Sequence, residues 1–365
     1  MTGRVAITGV GCVTPSFTGG AAALGAWLAE PSPEARSREG YPFPVATVGD
    51  DAVAGLVEDA ERRRLSRACQ MAVAAARLAL LDARLDDAGD VGLVVGTEFG
   101  DLRSTVEFAD GYLASGAAGL SALLFPNTVM NAMAAATSIA VASRLMSLTL
   151  DEPTVAGELA VAHAASAVAA GRVPAALAGG VDQIDPFLAR ALADVGAVEP
   201  RGEGATFVVL EPFAAARARG APVRGEIAGV AWRALPARPH GVGSRGAPVA
   251  VVAALEAAGL APEAIAAVYA SAGGDEERDR WERRLLARAL PHRPPVAALR
   301  AWLGQHSAAG VLAVAAGAWT ARAGRLPAAP GGPARRTPAG PGLVHGVARG
   351  GAQVALVVGP GEEAA

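Results

Sequence analysis

Aromatic residues and cysteines are scarce in this chain. Aromatic side chains account for 4% of the 365 residues, whereas hydrophobic residues account for 52%. The core must therefore consist largely of small aliphatic side chains, which suit closely packed layers of helices and sheets. The only cysteines, Cys12 and Cys69, lie far apart and lack the spacing of metal ligands. We therefore predict neither a disulfide nor a metal site.

Long basic runs and long apolar runs are missing as well. The formal net charge is −3, and the absence of a basic run argues against nucleic-acid binding. The longest apolar stretch, residues 122–142, contains a proline and five polar residues, so it fits a buried helix better than a membrane span of about 20 apolar residues. The first residues enter a strand-like run directly, without a signal-peptide pattern. These features predict a cytoplasmic protein without nucleic-acid or membrane partners.

Apolar runs typical of strands alternate with alanine-rich stretches typical of helices. We predict strands at residues 5–10, 91–96, 148–150, 175–178, 206–210, 266–270 and 354–358, and helices at residues 66–82, 153–170 and 249–259. This alternation is typical of an α/β protein with helices layered on mainly buried strands. The charged segment 275–284 is predicted to begin a solvated helix. The segment 324–342, rich in proline and glycine, is predicted to form a surface loop.

Five separated segments resemble the β-ketoacyl synthase family and occur in the order that the family shows. They are residues 5–15, residues 125–139 with Phe125-Pro126-Asn127, residues 153–182, residues 202–211 with Gly202-Glu203-Gly204-Ala205, and residues 346–351. The resemblance spans nearly the whole chain. It implies a thiolase-like, layered αβαβα fold of α/β class with two pseudo-duplicated halves, residues 1–212 and 213–365, in one compact unit.

The resemblance also indicates where the catalytic residues would stand. Active condensing enzymes of this family carry a Cys-x-Ser-Gly pattern at a strand-to-helix turn, where the helix N-terminus lowers the pKa of the thiol. The corresponding residues here are Thr154-Val155-Ala156-Gly157. A threonine hydroxyl is a poor nucleophile without a nearby base, and the carboxylates of Asp151 and Glu152 would disfavour an anion at this turn.

Three further positions of the family's catalytic set are changed. Ser271 stands where the first histidine is expected, although Asp279 and Glu282 keep the spacing that follows it. Arg300 replaces the lysine, and Gln305 replaces the second histidine. The imidazoles of active members hold the enolate that forms on decarboxylation. The resemblance therefore implies that this chain has no catalytic residues for condensation.

A ketosynthase-like chain without this set resembles the chain-length factor of type II polyketide synthases. Such a subunit forms a heterodimer with an active ketosynthase, and side chains of its interface helix close the partner's acyl tunnel. The corresponding helix is predicted at residues 126–140. Its candidate tunnel-floor residues are Val129, Met130 and Met133, with Thr128 and Ala136 nearby. The resemblance implies an acyl carrier protein as a second partner, docked mostly on the active subunit, and no cofactor.

Two departures indicate a divergent branch of the chain-length factors. Residues 180–202 and 305–310 are shorter than is usual for the family, and Thr154 stands where many chain-length factors carry glutamine. The partners found in polyene-making type II systems are an example of such a branch.

Two other functions stay open on the sequence alone. One is an acyltransferase or hydrolase that uses Thr154 or Ser271 with His306. The other is a binding module for small molecules or carrier proteins. His306 would reach the pocket through a loop shift or would pack at a helix start, and His163 is predicted to pack on a helix face. Surface positions are predicted for His240, His292 and His345.

The closing loop departs from the Gly-Phe-Gly-Gly of active members and reads Ala348-Arg349-Gly350-Gly351. Two interpretations stand side by side. Gly350 and Gly351 would serve a tight turn that needs flexible residues, or Arg349 would plug or electrostatically alter a pocket that no longer loads acyl groups.

Overall fold

The computed structural model describes residues 3–31, 36–238, 241–243, 247–327 and 334–361. The strands are β1 (Val5–Val13), β2 (Thr18–Gly19), β3 (Val45–Ala46), β4 (Val91–Thr97), β5 (Ser147–Asp151), β6 (Ala175–Asp182), β7 (Arg201–Gly202), β8 (Gly204–Pro212), β9 (Gly225–Ala234), β10 (Ala267–Ala270), β11 (Val296–Ala297), β12 (Arg325–Leu326), β13 (Arg335–Arg336), β14 (Gly342–Val347) and β15 (Ala352–Gly359). The helices are α1 (Ala21–Ala29), α2 (Asp59–Arg62), α3 (Arg67–Ala83), α4 (Leu102–Ser115), α5 (Ala132–Ala140), α6 (Ala156–Ala169), α7 (Pro186–Asp194), α8 (Phe213–Ala218), α9 (Val249–Ala258), α10 (Glu276–Ala289), α11 (Arg300–Leu303) and α12 (Ser307–Ala323).

The strands repeat one arrangement twice. The main sheet has the order β11-β10-β14-β15-β9-β1-β8-β6-β4-β5. The first set of five strands is β1, β4, β5, β6 and β8, and the second is β9, β10, β11, β14 and β15. In the first set, β4 pairs in parallel with β5 and β6, and β8 pairs antiparallel with β6 and β1. In the second set, β10 pairs in parallel with β11 and β14, and β15 pairs antiparallel with β14 and β9. This repeat confirms the layered α/β fold with pseudo-duplicated halves. The boundary at residue 212 coincides with the end of β8 and stays a prediction, because β1 also pairs with β9.

Helices α6 and α12 lie at the buried centre of the molecule. Their N-terminal turns approach so closely that only glycine fits at two positions. A side chain at residue 157 would collide with the carbonyl of Ser307, and one at residue 310 would collide with the carboxylate of Glu158. Both helices also pack on the main sheet. This close approach brings the turn before α6 next to the segment before α12. Within the described ranges, no helix is long and apolar enough to cross a membrane.

The predicted strands and the helices predicted at residues 66–82, 153–170 and 249–259 are all found, but three segments differ from prediction. The helix expected at residues 126–140 begins only at Ala132, after a 3₁₀ turn at Phe125–Asn127. Pro126 and two asparagines favour turns over helix there. The prediction of a buried helix over residues 122–142 is also wrong, because Leu123 and Ile139 are largely exposed. The segment 324–342 is not a loop throughout, because Arg325–Leu326 pairs with Arg335–Arg336. Its residues 328–333 lie outside the described part of the chain.

The charged helix α10 is less solvated than predicted. Arg278, Trp281, Glu282, Leu285 and Leu286 are all buried, at the three- and four-residue spacing of one helix face. The prediction of a solvated helix start is therefore wrong for this face. The charged residues of this face, Arg278 and Glu282, contact Thr154 and Ser271, which stand at the positions that the family resemblance assigns to catalysis.

Candidate functional site

Thr154 occupies a strained turn between β5 and α6. Its φ is 74°, in the left-handed region, where a branched side chain costs about 1–3 kcal/mol. The backbone N–H of Thr154 donates to Glu98 Oε1 (3.0 Å), and its carbonyl accepts from Arg300 Nη2 (2.7 Å). Only 8% of Thr154 is exposed. The turn therefore has the backbone shape of a nucleophile site, but charged side chains close around it.

The hydroxyl of Thr154 contacts a guanidinium. Arg278 Nη1 donates to Thr154 Oγ1 at 3.2 Å, and Arg278 Nη2 donates to the carbonyl of Ser271 at 3.1 Å. One buried arginine thus connects Thr154 and Ser271, two of the four positions where the family resemblance predicts changed catalytic residues. The hydroxyl accepts from a cationic group that cannot act as a base, and within the described residues it donates to no basic side chain that could remove its proton.

Arg300 and Gln305 complete the surroundings of Thr154. Arg300 Nη2 also donates to Glu158 Oε1 (2.8 Å). The amide of Gln305 donates to Glu98 Oε1 and, at 3.4 Å, to the carbonyl of Thr154. The other oxygen of Glu98 accepts from Arg201 Nη1 (2.8 Å). The four positions Thr154, Ser271, Arg300 and Gln305 therefore do come together in space, within one network of buried ion pairs.

The prediction of a surface position for His345 is wrong. This residue lies in β14 and is fully buried, and its Nδ1 is 3.0 Å from Glu282 Oε1. Glu282 also accepts from the backbone N–H of Ser271 (3.0 Å). Burial alone would raise the pKa of Glu282, but the hydrogen bond to His345, the Ser271 N–H and nearby Arg278 hold it below its ordinary value. His345 thus supports the loop that carries Ser271.

His163 and His292 have contacts away from Thr154. His163 stacks on Trp232 with ring centroids 4.4 Å apart, which is a packing role. His292 is exposed, in line with its predicted surface position, and its Nε2 is 2.9 Å from the carbonyl of Ile265. His240 lies outside the described residues.

His306 is buried at the N-cap position of α12. Its ring packs where a Cβ at Gly202 would stand, and neither ring nitrogen has a hydrogen-bond partner within the described part of the chain. It therefore forms no hydrogen bond with Thr154 or Ser271. Burial and the positive charge of Arg300 lower the pKa of His306 to about 3.

His306→Asn is expected to make the stability of the protein less sensitive to acid. Unfolded histidine titrates near pH 6.5, so the neutral buried imidazole contributes stability that is present above pH 6.5 and is lost as the pH falls toward 3. The loss is roughly 1.4 kcal/mol per pH unit. Denaturant unfolding should show the unaltered protein losing about 2 kcal/mol more than the variant between pH 6.5 and 5. Parallel pH profiles would contradict this.

Asp182 ties α12 to the sheet beside this network. Its carboxylate accepts from Thr97 Oγ1 (2.8 Å), the Glu98 N–H (2.8 Å) and the Ser307 N–H (2.6 Å). Burial and the charge of Glu98 raise the pKa of Asp182 to about 6. This contact fixes the start of α12, and with it the preceding glutamine, against Glu98.

The closing loop turns away from Thr154. Arg349 binds Asp275 with two hydrogen bonds of 2.6 and 2.7 Å and reaches Glu277 at 3.1 Å, and its side chain is 37% exposed. Gly350 and Gly351 have φ of 91° and 101°. These contacts support the interpretation of a tight turn, with the arginine anchored at the start of α10 rather than in the pocket.

The candidate tunnel residues divide between surface and core. Val129 and Met130 are exposed, and Thr128 and Ala136 are half-buried. Met133 is fully buried and belongs to the chain's own core around α3 and β4. Exposed apolar side chains surround this segment; they are Tyr112, Leu113, Leu120, Leu123, Phe125, Ile139 and Leu145.

Arg278, Arg201 and Glu98 are site residues that the sequence reasoning missed. For Arg278 a signal existed, because Trp281, Leu285 and Leu286 mark a buried face that also contains Arg278 and Glu282. Arg201 and Glu98 follow no such pattern, since their partners come from distant parts of the chain. Within the described ranges, no three His, Cys, Asp or Glu side chains are grouped to hold a metal ion.

Residues 2–231 match the model of the β-ketoacyl synthase N-terminal domain. The chain belongs to the β-ketoacyl synthase family. A polyketide β-ketoacyl synthase 2 of Streptomyces halstedii is 32% identical over 348 residues, which cover 86% of this chain and 83% of that protein. A polyketide β-ketoacyl synthase 1 of Streptomyces virginiae is 30% identical over 364 residues, which cover 86% of this chain and 84% of that protein. The relatives are thus ketosynthases of polyketide type.

Solved structures of low sequence identity share the fold. The ishigamide ketosynthase/chain length factor superposes with a TM-score of 0.88 at 23% identity, over 98% of this chain and 99% of that chain. A type II polyketide ketosynthase in complex with its acyl carrier protein superposes with a TM-score of 0.82 at 16% identity, over 98% of this chain and 99% of that chain. The chain therefore keeps the fold of the family over nearly its full length.

Proposed function

We propose that the chain is a non-catalytic subunit of chain-length-factor type, which pairs with an active ketosynthase in type II polyketide biosynthesis. The observation that carries the proposal is the environment of residue 154. The Thr154 hydroxyl accepts from buried Arg278, and the Thr154 carbonyl accepts from Arg300. A condensing enzyme needs a nucleophile with a base or a lowered pKa at this turn, and among the described residues the contacts of Thr154 provide neither.

The edge of the sheet supports an active ketosynthase as the partner. Strand β5 is the last strand at its end of the sheet, so one side of its backbone is open for pairing. The exposed apolar side chains around α4 and α5 lie at the same end. Closed two-fold association through such a face is the usual form of a dimer. The name of the ishigamide ketosynthase/chain length factor is in line with a pair of this kind.

The exposed residues suggest which side chains would reach the partner's tunnel. Val129 and Met130 are exposed just before α5, whereas Met133 is enclosed by its own chain. We therefore assign the tunnel border to Val129 and Met130 and a supporting role to Met133. The trimmed segments 180–202 and 305–310 favour a polyene-type system, with an acyl carrier protein as donor.

An acyltransferase or hydrolase built on Thr154 or Ser271 with His306 has less support. The ring of His306 hydrogen-bonds neither hydroxyl. An imidazole with a pKa of about 3 is a weak base at neutral pH.

Co-expression with an intact ketosynthase tests the proposed function. We expect a stable one-to-one complex by size-exclusion chromatography with light scattering. Condensation by that complex should survive Thr154→Ala in this chain, because no residue here performs chemistry, and should be abolished by loss of the partner's cysteine. A stable homodimer that ignores the ketosynthase would contradict the proposal, and so would loss of activity in a folded Thr154→Ala complex.

A further inference from the structure

Arg278 connects two segments that would border an acyl site. Its guanidinium lies 3.2 Å from Thr154 Oγ1 and 3.1 Å from the carbonyl of Ser271. It also pairs with Asp279 Oδ1 at 3.2 Å, and its side chain is 2% exposed. The space between residue 154 and the loop after β10 is therefore occupied by a charged side chain of the protein itself.

The loop after β10 holds this guanidinium in place. Asp279 accepts from the N–H groups of Gly273 (3.2 Å) and Gly274 (2.9 Å), which fixes the carboxylate that pairs with Arg278. A Cβ at Gly273 would stand 3.5 Å from Arg278 Nη2 and 3.2 Å from the Cβ of Arg300. The loop thus packs directly over both arginines.

Arg300 borders the same space through the carbonyl of Thr154. It bonds the Thr154 carbonyl (2.7 Å) and Glu158 (2.8 Å) and is buried with its partner. Displacing either arginine would leave a buried carboxylate without its cation, which is costly. We therefore expect the side chains of Arg278 and Arg300 to move much less than that of a surface arginine, so that the two guanidiniums stay in place.

We propose that Arg278, backed by Arg300, is a plug that excludes acyl thioesters from the site even when a thiol stands at position 154. An acyl group on the side chain of residue 154 needs the volume next to its γ atom, and the Arg278 guanidinium fills that volume. This inference deepens the proposed function. It gives the chain a second barrier to acyl loading, besides the absent cysteine.

Alkylation of a thiol introduced at position 154 tests the plug. The variants are Thr154→Cys, Thr154→Cys with Arg278→Gln, and Thr154→Cys with Arg280→Gln as a matched control, because Arg280 is an exposed arginine on the same helix. Each folded, full-length protein is treated with iodoacetamide, and labelling is followed by peptide mass spectrometry. The buried Cys12 and Cys69 serve as internal references.

We expect the introduced thiol in Thr154→Cys to label as slowly as the two buried cysteines. Arg278→Gln should raise its rate about tenfold or more, because thiol reactivity follows access, and Arg280→Gln should not change it. Rapid labelling of the single variant would overturn the plug, since an arginine beside an accessible thiol would instead activate it. Unchanged slow labelling in a folded Arg278→Gln variant would overturn it as well.

Unfolding of a variant and failure of the proposed function can both be told apart from failure of the plug. If Arg278→Gln unfolds, all three cysteines label together, and the single variant alone decides by comparison with Cys12 and Cys69. Thermal unfolding of each variant identifies that case. The measurement needs no ketosynthase, so a protected thiol in a chain that forms no heterodimer would contradict the proposed function and leave the plug standing. A reactive thiol in a chain that forms the heterodimer would do the reverse.

Discussion

Arg300→Met is expected to lower the free energy of unfolding by about 3–5 kcal/mol, the range for breaking a buried ion pair from one side. The side chains of Arg300 and Glu158 are 2% and 1% exposed. Removal of the guanidinium leaves the Glu158 carboxylate uncompensated and the carbonyl of Thr154 without its donor. Denaturant unfolding of the purified chain, alone or in its complex, measures the loss.

A surface ion pair of similar length provides the matched control. Arg103 and Glu107 are 2.7 Å apart but about half exposed, so Arg103→Met should cost only about 0.3–0.5 kcal/mol. Combining Arg300→Met with Glu158→Gln should recover part of the loss, because no unpaired charge stays buried. A loss below about 1 kcal/mol for Arg300→Met would mean that water reaches the pair. The closed network around Thr154 would then be wrong.

Motif spacing in the sequence locates the turn and singles out four positions that the structure brings together; that these are former catalytic positions stays a prediction. Gly157 packs closely against Ser307, so the turn can be located although residue 154 is a threonine. Strand β5 and helix α6 on either side keep the apolar pattern that buried elements need. Residue identity at these positions then shows what is missing.

What fills the site is harder to predict, because it depends on contacts between distant segments. Arg278 lies in a run of charges that is typical of a solvated helix, and only its spacing to Trp281 indicates burial. The sequence offers Arg349 as a plug in one of two interpretations of the closing loop, but Arg349 binds Asp275 at the start of α10. The glycine-rich context of His345 predicts a surface position, but β14 buries it against Glu282.

Ile139→Asp is expected to weaken association with the active ketosynthase by roughly 30-fold or more, the effect of losing about 2 kcal/mol at a central apolar contact. Ile139 lies on α5 and is 81% exposed in the single chain. Helix α5 packs at the end of the sheet where, within the described ranges, β5 is the last strand. A carboxylate there would have to be desolvated in the complex. Titration calorimetry or interferometry on the purified subunits gives the dissociation constant.

Val252→Asp is the control, since Val252 is an exposed valine on α9, which packs on β9 and β15 in the other half of the sheet. It should leave the dissociation constant unchanged. Because Ile139 is exposed, its replacement should hardly affect the free energy of unfolding of the single chain, so weaker binding cannot be ascribed to unfolding. If Ile139→Asp binds like the unaltered protein while Val252→Asp does not, the ketosynthase docks on the other half. Neither Val129 nor Met130 could then border its acyl tunnel.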